Sequence, residues 1–158
     1  MPGKKHGPNR LFGYLETHNA VMQRLLLGDF VLKDGISIRS FGNGFFLMSG
    51  TVECQGPISL EVEKFLGIVD RTGPLVQTVE YSYNAALQGI GNILRYDSPH
   101  PTHNQYHHVH RYDVLNNSAE KVEPIGDDDW PTLGKVIEEL SDWYYGNYEA
   151  IRAKLSDS

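Results

Sequence analysis

A single cysteine, Cys54, means that no disulfide can close within this chain, which points to a reducing compartment. Within TVECQ that thiol falls in a strand-like run, where it serves better as a small apolar residue than as a nucleophile. No apolar run approaches the roughly 20 residues that a membrane-spanning helix needs. Nor does an apolar stretch follow Lys4 and Lys5, so the N-terminus does not read as a secretory leader. Residues 1–13 are expected to form a mobile tail, and the protein to be cytoplasmic with no membrane attachment. A basic excess is missing too. The formal net charge of −6 argues against a nucleic-acid binder that works through its whole surface, but leaves room for a small, locally basic cleft. Repeats, low-complexity tracts and linkers are absent, and residues 14–158 read as one domain long enough to bury a core.

What is present begins with a helix. Tyr14 to Leu27 places Leu15, Val21, Met22, Leu25 and Leu26 near helical spacing and stops at Gly28-Asp29. From Phe30 to about Ile125 the texture is β. Ile36 and Ile38 alternate with polar residues, Gly42-Asn43-Gly44 marks a tight turn, and 44–55, 58–69, 76–87, 90–97 and 106–115 read as strands, with a short one at 121–125. Asp127-Asp128-Asp129-Trp130-Pro131 then signals a helix start, because carboxylates favour the positive end of a helix and proline suits its first turn. The helix that follows aligns Leu133, Val136, Ile137, Leu140, Trp143, Tyr144 and Ile151 on one stripe. This order predicts an α+β domain: a mainly antiparallel sheet of about six or seven strands with an N-terminal and a C-terminal helix packed on it.

The chemistry concentrates in ILRYDSPHPTHNQYHHVH, Ile93 to His110, which holds five of the seven histidines. Imidazole is the side chain whose unperturbed pKa, about 6.5, permits proton exchange near neutrality. Strand alternation divides this set. Arg95 and Asp97 share one face and Tyr96 takes the other, while His108 and His110 share a face that His107 and Val109 do not. A hairpin therefore brings Arg95, Asp97, His108 and His110 together. Tyr81 and Tyr83 are expected to join from the preceding strand, and His100 and His103 to sit in the connecting loop within reach of substrate.

Three readings fit. In metal-free RNA cleavage the neighbouring 2′-hydroxyl is the nucleophile; His108 and His110 shuttle protons, Arg95 offsets the developing charge and Asp97 orients its neighbours. Tyr81, Tyr83 and Tyr96 then stack on a base, with His107 also on the substrate side. Alternatively, His108-x-His110 with Asp97 or a glutamate forms a metal-dependent enzyme's ligand set, Glu61 and Glu63 being the candidate carboxylates. The third reading is a non-catalytic module whose acidic surface docks a basic protein.

The order of these features resembles the TumE-like toxins of toxin–antitoxin pairs. The match spans roughly Met48 to Trp143 and rests on Tyr81-Ser82-Tyr83, then Arg95-Tyr96-Asp97, a loop with prolines and histidines, and His107-His108-Val109-His110. Where the family pattern has a lysine between its histidines, this chain has Val109, and the acidic strand-end position falls on Lys64 or, one residue earlier, Glu63. The resemblance implies a small cytoplasmic toxin, with RNA cleavage its expected activity, and a neutralising helix-turn-helix antitoxin as partner. Together with the residue pattern this makes metal-free RNA cleavage, with no cofactor, the leading reading, and a homodimer is left open.

Overall fold

A computed structural model describes residues 6–100, 102, 105–116 and 118–157. In chain order the elements are β1 (Asn9–Arg10), α1 (Leu11–Leu26), β2 (Val31–Asp34), β3 (Ser37–Gly42), β4 (Phe45–Cys54), β5 (Ile58–Asp70) and β6 (Leu75–Leu87). They continue as β7 (Gly91–Asp97), β8 (His107–Asp113), β9 (Ser118–Ile125), α2 (Leu133–Gly146) and α3 (Tyr148–Ser156). The sheet runs β2-β4-β5-β6-β7-β8-β9, with β1 paired to β6 and β3 to β4, and the strand pairs are antiparallel. The α+β architecture is as expected.

Three boundaries differ from expectation. Among the described residues, the part of the expected tail from His6 onward is packed: His6 stacks on Trp130, Asn9 and Arg10 pair with Val76 and Leu75, and the helix begins at Leu11. The acidic run 127–129 forms a turn ahead of the C-terminal helix, whose N-cap is Thr132, its side chain accepting from the Lys135 N–H. Capping by a hydroxyl closes the first turn without the carboxylates. The single long C-terminal helix is two: Asn147 leaves helical geometry (φ −122°, ψ 20°) and its side-chain amide donates to the Trp143 carbonyl.

The helices cover one face of the sheet. Met22 of α1 and Val136, Ile137, Leu140, Tyr144 and Ile151 of the C-terminal helices share a core with Val52, Leu60, Val62, Tyr83, Leu94, Tyr96 and Val109. Period-two alternation puts the intervening strand residues on the opposite, uncovered face. No helix among the described residues is long and apolar enough to cross a membrane.

Gly50 shows how closely neighbouring strands meet. Its φ is +151°, and a Cβ built there would run into the Gly35 carbonyl oxygen in the link between β2 and β3, which runs alongside β4 with the Gly35 N–H donating to the Thr51 carbonyl. Only glycine allows that approach.

Candidate active site on the open sheet face

Residues directly opposite in an antiparallel sheet share a face, so the register reads out the open face as two transverse rows. The first runs Ser49, Glu63, Ser82, Asp97, His108 and Pro124. The second runs Thr51, Glu61, Asn84, Arg95, His110 and Val122. Arg95, Asp97, His108 and His110 thus meet in one two-by-two block across β7 and β8, as strand alternation predicts.

Asp97 is the hub of the block. Its carboxylate accepts from Arg95 Nε, at 3.0 Å to Oδ1 and 2.9 Å to Oδ2. The Nε2 atoms of His108 and His110 lie 3.5 and 3.6 Å from the same Oδ2. Those two contacts are longer than charge-assisted N–H···O bonds, which run about 2.7–2.9 Å. Each histidine is set from behind through its other nitrogen. His108, 5% exposed, directs Nδ1 at the Tyr106 carbonyl at 3.1 Å, a contact that requires the proton on Nδ1. His110 Nδ1 lies 3.4 Å from Glu120 Oε2, close enough for attraction but outside hydrogen-bond geometry; the nitrogen is buried without a hydrogen-bond partner. Glu120 also contacts Tyr112, whose phenol pKa is raised by burial first and then by that carboxylate.

Beside the block opens a cleft of about 400 Å³ whose lining includes Glu63, Phe65, Glu80, Ser82, Arg95, Asp97, His100 and His108. A second depression of about 420 Å³ adjoins it, shares Glu63, Ser82 and Arg95, and adds Thr51, Glu61 and Asn84. Glu63 therefore borders the first cleft and Glu61 the second. His100 is exposed at the rim; His103 lies outside the described residues.

The tyrosines and His107 are not where they were expected. The register sets Ser82, not Tyr81 or Tyr83, on the face of Asp97, and pairs Tyr83 with Tyr96 on the helix-covered side. Tyr83 is fully buried, and burial raises its phenol pKa, with the Lys64 ammonium opposing. Tyr81, also buried, stacks on Trp130 at 4.3 Å and hydrogen-bonds His107 Nδ1 at 2.8 Å. Tyr96 donates to Glu139 at 2.7 Å, and Arg111 pairs with the same carboxylate. His107 stacks on Trp130 at 5.3 Å, and burial lowers its pKa, opposed by Asp127 and assisted by His108. Tyr83 and Tyr96 thus pack in the core beneath the helices and His107 on Trp130, whereas Tyr81, although buried, also borders the first cleft.

Glu120, Tyr112, Phe65 and Glu80 had escaped sequence reasoning. For Glu120 a signal exists: it is two residues from Val122, the direct partner of His110, although the sequence pattern places the start of the last strand at Lys121. Comparison of the chain with protein-family models, with curated proteins and with solved structures found no match.

Proposed function

We propose that the chain is a cytoplasmic toxin of a toxin–antitoxin pair, and that it cleaves RNA at the Asp97 block. The observation that carries this reading is the convergence of one guanidinium and two imidazoles on a single carboxylate at the wall of an open cleft. Cleavage of an RNA phosphodiester asks for a counter-charge at phosphorus, a group to take the 2′ proton and a group to give one to the departing 5′ oxygen. Arg95 meets the first need. Its Nε is held by Asp97, and its side chain is 47% exposed. The proton-handling groups are His110, directly opposite Arg95, and His108, opposite Asp97. A helix-turn-helix partner, implied by the resemblance of the Arg95-Tyr96-Asp97 and His107-to-His110 motifs, neutralises the activity.

Induced expression tests the whole reading. Wild-type protein is expected to arrest growth and fragment RNA, and coexpression of the adjacent reading frame to relieve both. With purified protein, Arg95→Ala and His110→Ala are each expected to slow cleavage about 100-fold or more, as loss of a charge clamp or proton-transfer group does. If both folded variants cut RNA as fast as wild type, the site assignment is wrong.

A further inference from the structure

We infer that Asp97, His108 and His110 bind a divalent first-row transition-metal ion, of the zinc type, with positions left open toward the cleft. The inference concerns the same site as the proposed RNA cleavage, but it rests on ligand geometry and stands whatever the substrate.

The ligand-atom spacing is the first support. One ligand atom from each of Asp97, His108 and His110 lies within 4.8 Å of the other two, and the Nε2 atoms of His108 and His110 are 3.5 and 3.6 Å from Asp97 Oδ2. Zinc–nitrogen and zinc–oxygen bonds of about 2.0–2.2 Å place neighbouring tetrahedral ligands about 3.3–3.6 Å apart. The contacts are too long for hydrogen bonds and right for the edge of a coordination shell.

The second support lies behind the ligands. A metal-binding imidazole normally donates its other N–H to a carbonyl or carboxylate, which fixes the tautomer and aims the lone pair. His108 Nδ1 faces the Tyr106 carbonyl at 3.1 Å and His110 Nδ1 faces Glu120 at 3.4 Å. Both rings consequently aim Nε2 at Asp97. With an ion bound, His108 and His110 serve as its ligands, and the proton transfers assigned to them in its absence pass to a metal-held water.

The third support is charge. The cleft sets the carboxylates of Glu63, Glu80 and Asp97 against the single guanidinium of Arg95. A polyanionic substrate enters such a cleft more readily once a dication has been added to it.

Two imidazoles and one carboxylate suit zinc, iron(II) or manganese(II) better than calcium or magnesium, which take oxygen shells. Three protein ligands with open positions are the pattern of catalytic sites, in which the ion lowers the pKa of a bound water to about 7. Arg95, held through Nε by the same carboxylate, lies beside the ion and stays available for the phosphate.

The test uses the chain without an affinity tag, stripped with chelator and titrated calorimetrically with zinc chloride. One equivalent is expected to bind with a Kd of about 1 μM or tighter, and magnesium at least about 1,000-fold more weakly. Asp97→Asn and His110→Ala should each weaken zinc at least about 100-fold, and His18→Gln, on the helical side, should leave it unchanged. Because His108 is buried and His108→Ala risks misfolding, the deciding variants are Asp97→Asn and His110→Ala, with folding checked by circular dichroism. No saturable zinc binding by folded wild type overturns the inference, as does binding that both variants retain. RNA cleavage that survives in chelator would sink the metal's role and leave the RNA reading standing. Zinc binding without cleavage of any RNA would do the reverse.

Discussion

At the residue scale the site turns on which atom of each histidine faces Asp97. Donation of the His108 Nδ1 proton to the Tyr106 carbonyl leaves Nε2 as the only lone pair on that ring, and it points at the hub. His110 lacks so firm a partner. Its Nδ1 approaches Glu120 at 3.4 Å without hydrogen-bond geometry, so the ring is held by charge and by stacking on Tyr112 at 6.2 Å. Glu120 is thus a positioning residue. Glu120→Gln is expected to weaken zinc binding about 10-fold, the usual effect of losing a carboxylate behind a ligand, while unfolding is little changed because Glu120 lies on an exposed strand. Unaltered zinc affinity in that variant would mean that His110 is aimed by something else. Cys54 takes no part: burial pushes its thiol up to about 12, well away from nucleophile chemistry at neutral pH.

At the element scale the β7–β8 hairpin does the sorting. One row of its side chains meets solvent and the next meets the helices, so neighbouring residues have unrelated jobs. Tyr96→Phe is expected to cost about 1 kcal/mol of stability, the worth of its bond to Glu139, and to leave zinc binding and RNA cleavage unchanged. A loss of cleavage beyond about threefold would return Tyr96 to the substrate side. The sequence made the Arg95, Asp97, His108 and His110 grouping legible because alternation within two short strands suffices for it. It did not reveal which face of β6 joins them. The alternation of Tyr81, Tyr83, Ala85 and Leu87 with Ser82 and Asn84 shows that these four share a face. A tyrosine fits a core as well as a substrate wall, so which face meets Asp97 depends on the register fixed by the turn at Gln88–Ile90 and the bulge between Ala85 and Ala86. The helix break at Asn147 was hidden for a related reason: the apolar stripe continues to Ile151 on both sides of it.

At the scale of the whole molecule, the sheet separates stability from chemistry, with helices and aromatic stacking on one face and ionisable groups on the other. That separation predicts how stability follows pH. His18 has its pKa lowered by burial, opposed by Asp34 and assisted by Lys64, and His107 is lowered by burial as well. Each has a folded-state pKa below its unfolded value of about 6.5, so near and below that pH the unfolded chain binds more protons. The contribution of these two groups is present above about pH 6.5 and is lost as pH falls through it toward the folded values. In chelator, the urea midpoint is expected to be lower at pH 5.5 than at pH 7.5; a higher midpoint at pH 5.5 would contradict the burial argument.

The open face bears the central claim, and anomalous diffraction from crystals of the zinc-loaded protein tests it most directly. One peak is expected about 2.0–2.2 Å from Asp97 Oδ2, His108 Nε2 and His110 Nε2, with its remaining coordination positions toward the cleft beside Arg95. A peak elsewhere with this block empty, or none in crystals grown with excess zinc, would contradict it.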